Sequence, residues 1–166
     1  MITLISGTAR KGSRTRKLAD NYLRMLRDQG ADPKLFCLET YSVWERDEAF
    51  IQAEQELLIP AQKFVFIIPE YNGSIPGMLK MLLDNSAIKD CWWGKKALLT
   101  GLADGRAGNL RGLEHMTGIL NYLHVDVYWN KLPISRISTE MTEDGTLIQP
   151  ATVAAIHDQI NGFLHF

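Results

Sequence analysis

The chain has 166 residues, of which 46% are hydrophobic and 22% charged, and its formal net charge is -1. This composition predicts one soluble globular domain over residues 1–166 and gives no electrostatic case for binding nucleic acid or an acidic membrane. The cysteines, Cys37 and Cys91, form no CxxC pair, and the histidines show no metal-binding spacing, so we expect no disulfide, no metal site and a cytoplasmic location. No apolar run approaches the roughly 18 residues needed to span a bilayer, and no signal-peptide layout opens the chain, so we expect no membrane partner.

Apolar runs typical of strands alternate with amphipathic helical patterns along the chain. The predicted strands are residues 1–6, Lys34 to Leu38, Lys63 to Ile68, Lys96 to Thr100 and Val125 to Trp129. The predicted helices are residues 14–29, Asp47 to Leu58, a segment beginning near Pro76, Asn109 to Tyr122 and Ala151 to Leu164. We expect residues 130–149 to be irregular.

This alternation favours an α/β fold with a parallel sheet between two helical layers. Residues 63–68 are apolar on both faces, which is typical of a central parallel strand. Because crossovers are right-handed, the pattern predicts a three-layer α/β/α sandwich with a five-stranded sheet in the flavodoxin-like order 2-1-3-4-5. In that order a mononucleotide binds at the carboxyl ends of the first and third strands.

The loop after the first strand, residues 7–15, contains groups suited to a phosphate. Its glycines permit close approach, and its hydroxyls and arginine fork can bond phosphate oxygens: Gly7, Thr8, Arg10, Gly12, Ser13 and Thr15. Alternatively, Ser13 is only the N-cap of the next helix and the arginines form a solvated face. No lysine follows Gly12, and a GxGxxG pattern is absent, so neither a Walker A site nor a dinucleotide fingerprint is favoured.

The loop after the third strand, residues 69–77, contains two glycines and two prolines, and Asn72-Gly73 is a strong turn signal. A rigid turn beside the crevice can present backbone N–H groups to a heterocyclic ring, and Tyr71 adds an apolar plane with a polar tip. An ordinary strand-to-helix turn explains Gly73 and Pro76 about as well. With the phosphate loop, this segment predicts a bound mononucleotide, most plainly a flavin.

These two loops resemble those of the NADPH-dependent FMN reductase family. Gly7-Thr8-x-Arg10-x-Gly12-Ser13 is similar to its Gly-Ser-x-Arg-x-x-Ser loop, and residues 69–77 match its PEYN(G/H)S(I/V)PG hallmark almost letter for letter. The resemblance implies three groups of FMN-binding residues. They are Thr8, Arg10, Ser13, Arg14 and Thr15 at the phosphate, Pro69, Glu70, Tyr71, Asn72 and Gly73 along the isoalloxazine, and Asp104 and Gly105 in a third loop. That third loop lacks the family's typical Gly-Gly pair.

The resemblance implies an FMN-dependent oxidoreductase that takes a hydride from NADPH or NADH. The acceptor would be a small molecule: free flavin, a quinone, an azo compound or a metal oxyanion. The flavin carries the chemistry, so we expect no catalytic protein side chain. A flavodoxin-type electron carrier and a flavin-dependent sensor are the alternatives. The resemblance also implies a homodimer or homotetramer, which the aromatic residues Trp92, Trp93 and Trp129 would allow.

Overall fold

The computed structural model describes all 166 residues and alternates strands with helices. The strands are β1 (Ile2–Ser6), β2 (Pro33–Cys37), β3 (Lys63–Pro69), β4 (Lys96–Leu102), β5 (Asp126–Val127) and β6 (Leu132–Ile134). The helices are α1 (Arg14–Asp28), α2 (Glu48–Ala53), α3 (Gly77–Asn85), α4 (Ile88–Trp92), α5 (Leu110–Tyr122), α6 (Ile137–Glu140) and α7 (Pro150–His165). A π-helical segment, Glu54–Leu58, continues directly from α2.

All strand pairs are parallel, and the order β2-β1-β3-β4-β5 confirms the predicted flavodoxin-like topology. The fifth position of the sheet is filled by two short strands rather than one. β5 pairs with Lys96 and Ala97 at the start of β4, whereas β6 pairs with Thr100 to Leu102 at its end. The loops that follow β1, β3 and β4 therefore emerge at one edge of the sheet, its carboxyl edge.

The sheet separates two hydrophobic cores, as expected for a strand covered on both faces. Phe64, Phe66 and Ile68 of β3 belong to the core formed with α2, α3, α4 and α5. Val65 and Ile67 face the opposite core, which α1 and α7 cover. All five side chains are fully buried, so β3 is the rigid support for the loop that follows it.

Three short elements lie where the sequence predicted none. Residues 130–149, expected to be irregular, contain β6 and α6, and Ile88–Trp92 forms α4. These segments are only three to five residues long, which is too short for a hydrophobic period to be detected. Val125 to Trp129 was predicted as one strand, but only Asp126–Val127 is ladder-paired because the chain leaves the sheet after Tyr128 and returns at Leu132.

The tryptophans differ sharply in exposure. Trp92 is completely buried, and its indole N–H donates to Ser86 Oγ at 2.7 Å. Trp92 therefore packs in the core and offers no surface for self-association. Trp93 and Trp129 do lie on the surface, at 44% and 77% exposure.

No helix of the chain has both the length and the apolar character required to cross a bilayer.

Candidate functional site

The loops after β1 and β3 meet at the carboxyl edge of the sheet, as the sequence predicted. The hydroxyl groups of Thr8 and Tyr71 lie 2.7 Å apart and share a hydrogen bond, although 63 positions separate them in the chain. Thr8 Oγ1 also accepts the backbone N–H of Arg10 at 3.2 Å. The Arg10 guanidinium lies 4.9 Å above the Tyr71 ring, within cation–π range. Tyr71 and Arg10 therefore form a wall between the two loops.

The first loop ends at the amino terminus of α1, where backbone donors are free. Ser13 is the N-cap, and its Oγ accepts the N–H of Arg16 at 3.2 Å, which leaves its O–H able to donate. The first i to i−4 bond of the helix runs from Lys17 N to Ser13 O. The N–H groups of Arg14 and Thr15 precede it and have no partner within the helix. A 15-residue helix thus directs unpaired donors and its positive dipole end at the loop.

Gly7 explains how the first loop lies so close to β3. Its N–H donates to Ile67 O at 2.9 Å, and a Cβ at this position would approach the same oxygen to 2.9 Å. A side chain would therefore push the loop away from β3. Gly12 follows in the left-handed region at φ +62°, which lets the chain turn into α1.

The second loop is a two-residue hairpin. Asn72 and Gly73 have φ values of 51° and 76°, and Tyr71 and Ser74 exchange two backbone hydrogen bonds around them. This geometry is a type I′ turn, which Asn-Gly favours. A Cβ on Gly73 would point toward the Arg111 guanidinium, 3.8 Å away. Glu70 N donates to the carbonyl oxygen of Leu102 at 3.0 Å, so the second loop is also tied to the end of β4, where the third loop begins.

The third loop, residues 103–109, is linked to the first by an ion pair. Arg14 Nη1 lies 3.3 Å from Asp104 Oδ2, and both side chains are solvent-accessible. The other carboxylate oxygen of Asp104 accepts the N–H of Ser138 at 3.1 Å. Asp104 therefore connects the start of α1 to the start of α6 across the mouth of the crevice.

The three loops surround a polar cavity of about 510 Å³. Nine of the twelve residues predicted from the sequence line it: Thr8, Arg10, Ser13, Arg14, Thr15, Pro69, Glu70, Tyr71 and Asp104. Asn72, Gly73 and Gly105 lie outside this lining. Lys17, Ile137 and Glu143 also line the cavity and were not predicted. Lys17 could have been predicted, because the helical period of α1 places it one turn after Arg14. Ile137 and Glu143 could not, because they belong to the segment predicted to be irregular.

The donors of the cavity are grouped around the start of α1. Hydroxyls of Thr8, Ser13 and Thr15 and the cations Arg10, Arg14 and Lys17 lie here, with the free N–H groups of α1. This donor set and the glycine cradle fit a phosphate monoester. Pro69, Tyr71 and Leu102 also line the cavity and add less polar surface for the rest of a mononucleotide. No group of three or more His, Cys, Asp or Glu side chains comes together that could hold a metal ion.

Comparison with known proteins also supports a site for FMN. Residues 1–136 match the family model of NADPH-dependent FMN reductase. A relative from Oryza sativa subsp. japonica, a probable NADPH:quinone oxidoreductase 2, is 28% identical over 176 residues, covering 96% of this chain and 84% of the relative.

Solved structures extend the similarity to the fold. The flavoenzyme NAD(P)H:(acceptor) oxidoreductase FerB of Paracoccus denitrificans superposes with a TM-score of 0.79 at 18% identity, covering 99% of this chain and 94% of FerB. A flavodoxin from the domain Archaea superposes with a TM-score of 0.65 at 10% identity, covering 97% of this chain and 95% of the flavodoxin. At such low identities these two likenesses establish the flavodoxin-like fold and nothing further.

Proposed function

The chain belongs to the NADPH-dependent FMN reductase family and is an FMN-dependent NAD(P)H oxidoreductase, and we propose that its acceptor is a small quinone. The observation that carries the cofactor site is the contact of the two loops, through Thr8 and Tyr71, beside a cavity of about 510 Å³. The similarity to the probable rice quinone oxidoreductase supports a quinone over the other acceptors. Free flavin, azo compounds and metal oxyanions remain the acceptors against which it is to be compared.

The start of α1 would hold the FMN phosphate. Thr8, Ser13 and Thr15 supply hydroxyls, the N–H groups at the start of α1 point outward, and Arg10 supplies a planar fork with no carboxylate partner of its own. A charge-assisted hydrogen bond of this kind is worth roughly 1.5–3 kcal/mol, so Arg10 would be the largest single contributor. Arg14 would contribute less because Asp104 already neutralises part of its charge.

The second and third loops would line the isoalloxazine. The backbone from Pro69 to Gly73 is fixed by the type I′ turn and by the bond from Glu70 N to Leu102 O, so its remaining N–H groups keep their direction before any ligand binds. Bound here, FMN would supply the chemistry of hydride transfer from NAD(P)H to the acceptor. The protein's task is to hold the reacting rings in a fixed orientation.

The visible spectrum of the purified protein is the first test. We expect flavin absorption after purification or after addition of FMN to the apoprotein, with FMN bound much more tightly than riboflavin. The phosphate is the only chemical difference between these two ligands, so equal affinities would contradict the role of the α1 terminus.

Steady-state oxidation of NADPH and NADH separates an enzyme from an electron carrier. With a quinone as acceptor we expect sustained turnover that depends on bound FMN. The rates with free flavin, an azo dye and chromate, at matched concentrations, rank the acceptors. A higher kcat/KM with any of these than with the quinone would overturn the proposed acceptor without touching the family assignment.

We also propose that the protein works as a homodimer or homotetramer in the cytoplasm. Support for self-association comes from large exposed aromatics, with Tyr122 at 83% and Trp129 at 77% exposure. Support for a reducing compartment comes from Cys37 and Cys91, which are both free thiols. Light scattering at low micromolar concentration tests the first statement, since a monomer alone would contradict it.

A further inference from the structure

The third loop ends in two consecutive residues with left-handed backbone conformation. Gly108 and Asn109 have φ values of 56° and 67°. A pair of glycines adopts this geometry most easily, because a Cβ crowds the backbone at positive φ. Asn109 is nevertheless a side-chain-bearing residue, completely buried, and its side chain does not cap α5. The reason for an asparagine here therefore lies outside the helix.

The side chain of Asn109 reaches the end of β3. Its Nδ2 donates to the carbonyl oxygen of Ile68 at 2.9 Å, across 41 positions of the chain. Ile68 is fully buried and directly precedes Pro69, where the second loop begins. One amide group therefore connects the end of the third loop to the start of the second.

Two glycines leave the space that this amide occupies. A Cβ on Gly112 of α5 would lie 2.2 Å from Asn109 Oδ1, and the three atoms nearest to that Cβ all belong to the amide. A Cβ on Gly101 of β4 would lie 3.1 Å from the Cβ of Asn109. A side chain at position 112 is therefore incompatible with the observed position of the amide.

Stability alone does not account for the side chain of Asn109. Its Oδ1 is buried and accepts no hydrogen bond from the protein. An unpaired buried acceptor destabilises a fold by about as much as a neutral hydrogen bond stabilises it, so the gain from the bond to Ile68 is offset. Glycine would adopt the same φ without a Cβ and without the unpaired oxygen. Buried unpaired atoms and left-handed side chains are typical of functional sites.

The hydrogen bond lies where the second loop leaves the sheet. Pro69 and Glu70, the next residues, line the polar cavity, and the proposed function places the isoalloxazine along them. On the other side of the bond, a Cβ on Gly108 would approach the carbonyl carbon of Pro133 to 2.6 Å. The end of the third loop therefore packs backbone against backbone and is a rigid support. Asn109 connects this support to the segment beside the ring.

We propose that Asn109 is a positioning residue for the isoalloxazine. Its amide holds the carbonyl of Ile68 and so fixes the direction in which Pro69 and Glu70 meet the ring. This role rests on the proposed function for the place of the ring. Asn109 acts through the second loop, without touching the flavin itself.

Asn109→Gly is the first test, because glycine keeps the left-handed backbone and removes only the amide. We expect the affinities for FMN and for riboflavin to fall by the same factor, about 2- to 10-fold, since both ligands carry the same ring and one neutral hydrogen bond is lost. The visible circular dichroism of FMN at saturation should also shrink, because the ring is held less rigidly. His124→Gly replaces another left-handed residue, exposed and at φ 57°, and should change neither quantity.

Gly112→Ala tests the same contact from the opposite side. Alone, it should displace the amide and reproduce the loss of affinity for both ligands. In the Asn109→Gly background the added methyl group enters the space that the amide has left. The double variant should therefore show no further loss of flavin affinity, and its free energy of unfolding, measured in urea without flavin, should match that of the wild type.

Each outcome has a distinct meaning. Unchanged riboflavin affinity in Asn109→Gly would overturn the proposal, and so would a loss confined to FMN, which would assign the effect to the phosphate. A double variant that regains wild-type flavin affinity together with its stability would make Asn109 a packing residue and overturn the proposal as well. A wild-type protein that binds no flavin would overturn the proposed function and this role with it, whereas flavin binding that is independent of Asn109 overturns only this role.

Discussion

The two edges of the sheet carry similar charges but use them differently. At the amino edge, Lys63 Nζ donates to the carbonyl oxygens of Phe163 and Leu164 at 3.0 and 2.9 Å, and Lys96 Nζ donates to Phe166 O. These cations lie at the carboxyl terminus of α7, where they bond to orphan carbonyls and complement the helix dipole.

At the carboxyl edge, Arg10 and Arg14 lack such partners, although Lys17 Nζ donates to the carbonyl oxygen of Glu143. Arg10 lies over an aromatic ring without a carboxylate, and Arg14 pairs only with the exposed Asp104. At the amino edge, main-chain carbonyls accept the hydrogen bonds of the lysines. At the carboxyl edge, unpaired N–H groups at the start of α1 lie near the cations instead. A cation whose donors are already used stabilises the fold, and a cation whose donors remain free is available to an anion. Free hydrogen-bond donors, rather than charge alone, therefore distinguish the candidate binding edge from the structural edge.

Arg10→Ala is the sharpest way to break this comparison. We expect FMN affinity to fall about 10- to 100-fold, the equivalent of roughly 1.5–3 kcal/mol, while the melting temperature of the apoprotein stays constant. Arg27→Ala, on the exposed last turn of α1, is the matched control and should leave both quantities unchanged. If Arg10→Ala lowers the apoprotein's melting temperature instead, Arg10 is structural and the two edges are alike.

Lys95→Met tests the amino edge. Lys95 is buried and donates to Leu58 O and Ile59 O, each at 2.8 Å, at the end of the π-helical segment. Burial lowers the pKa of Lys95, but its removal leaves the Ile59 carbonyl without a donor, whereas Leu58 O still accepts the N–H of Ala61 at 3.3 Å. We therefore expect the free energy of unfolding to fall by about 1–3 kcal/mol, measured by urea denaturation. FMN affinity should not change, and Lys89→Met, at an exposed position of α4, should affect neither.

The sequence predicts the carboxyl edge of the sheet well and the amino edge poorly. The strand order and most site residues followed from Ile2 to Ser6, from Lys63 to Ile68 and from the two motifs, because hydrophobic period and turn chemistry are local signals. Lys63 and Lys95 gave no such signal, because their acceptors lie far away in the chain. Nor did Glu143, which reaches the cavity only because the 130–149 segment folds back over α1.

Cys91→Ala tests a neutral buried group beside the amino edge. Burial, reinforced by the nearby Glu54 carboxylate, raises the pKa of the Cys91 thiol from 9.0 to about 12. In the unfolded chain the thiol ionises first, so the unfolded state binds fewer protons above pH 9 and stability falls as pH rises toward about 12. At pH 10 this loss is about 1.4 kcal/mol. Unfolding in urea at pH 7 and pH 10 should show a smaller decline for Cys91→Ala, and an equal decline would contradict the shift.

The smallest effect is expected at the ion pair between Arg14 and Asp104. Both side chains are accessible, and exposed pairs contribute only about 0.2–1 kcal/mol. Asp104→Asn keeps an oxygen to accept the Ser138 N–H but removes the charge that neutralises Arg14, leaving more positive potential for the phosphate. We therefore expect FMN to bind about two- to fivefold more tightly at low ionic strength.

The salt dependence of FMN binding, and a control variant at the amino edge of the sheet, show whether electrostatics cause the tighter binding. The gain in affinity should shrink in roughly 1 M salt, where the Debye length falls to about 3 Å. Asp32→Asn breaks a similar exposed pair, with Lys34 at 3.1 Å, at the amino edge and should leave FMN binding unchanged. If Asp104→Asn instead weakens FMN binding, and does so at all salt concentrations, then the carboxylate contacts the flavin directly. Asp104 would then act as a recognition group for the ring rather than as the counter-ion of Arg14.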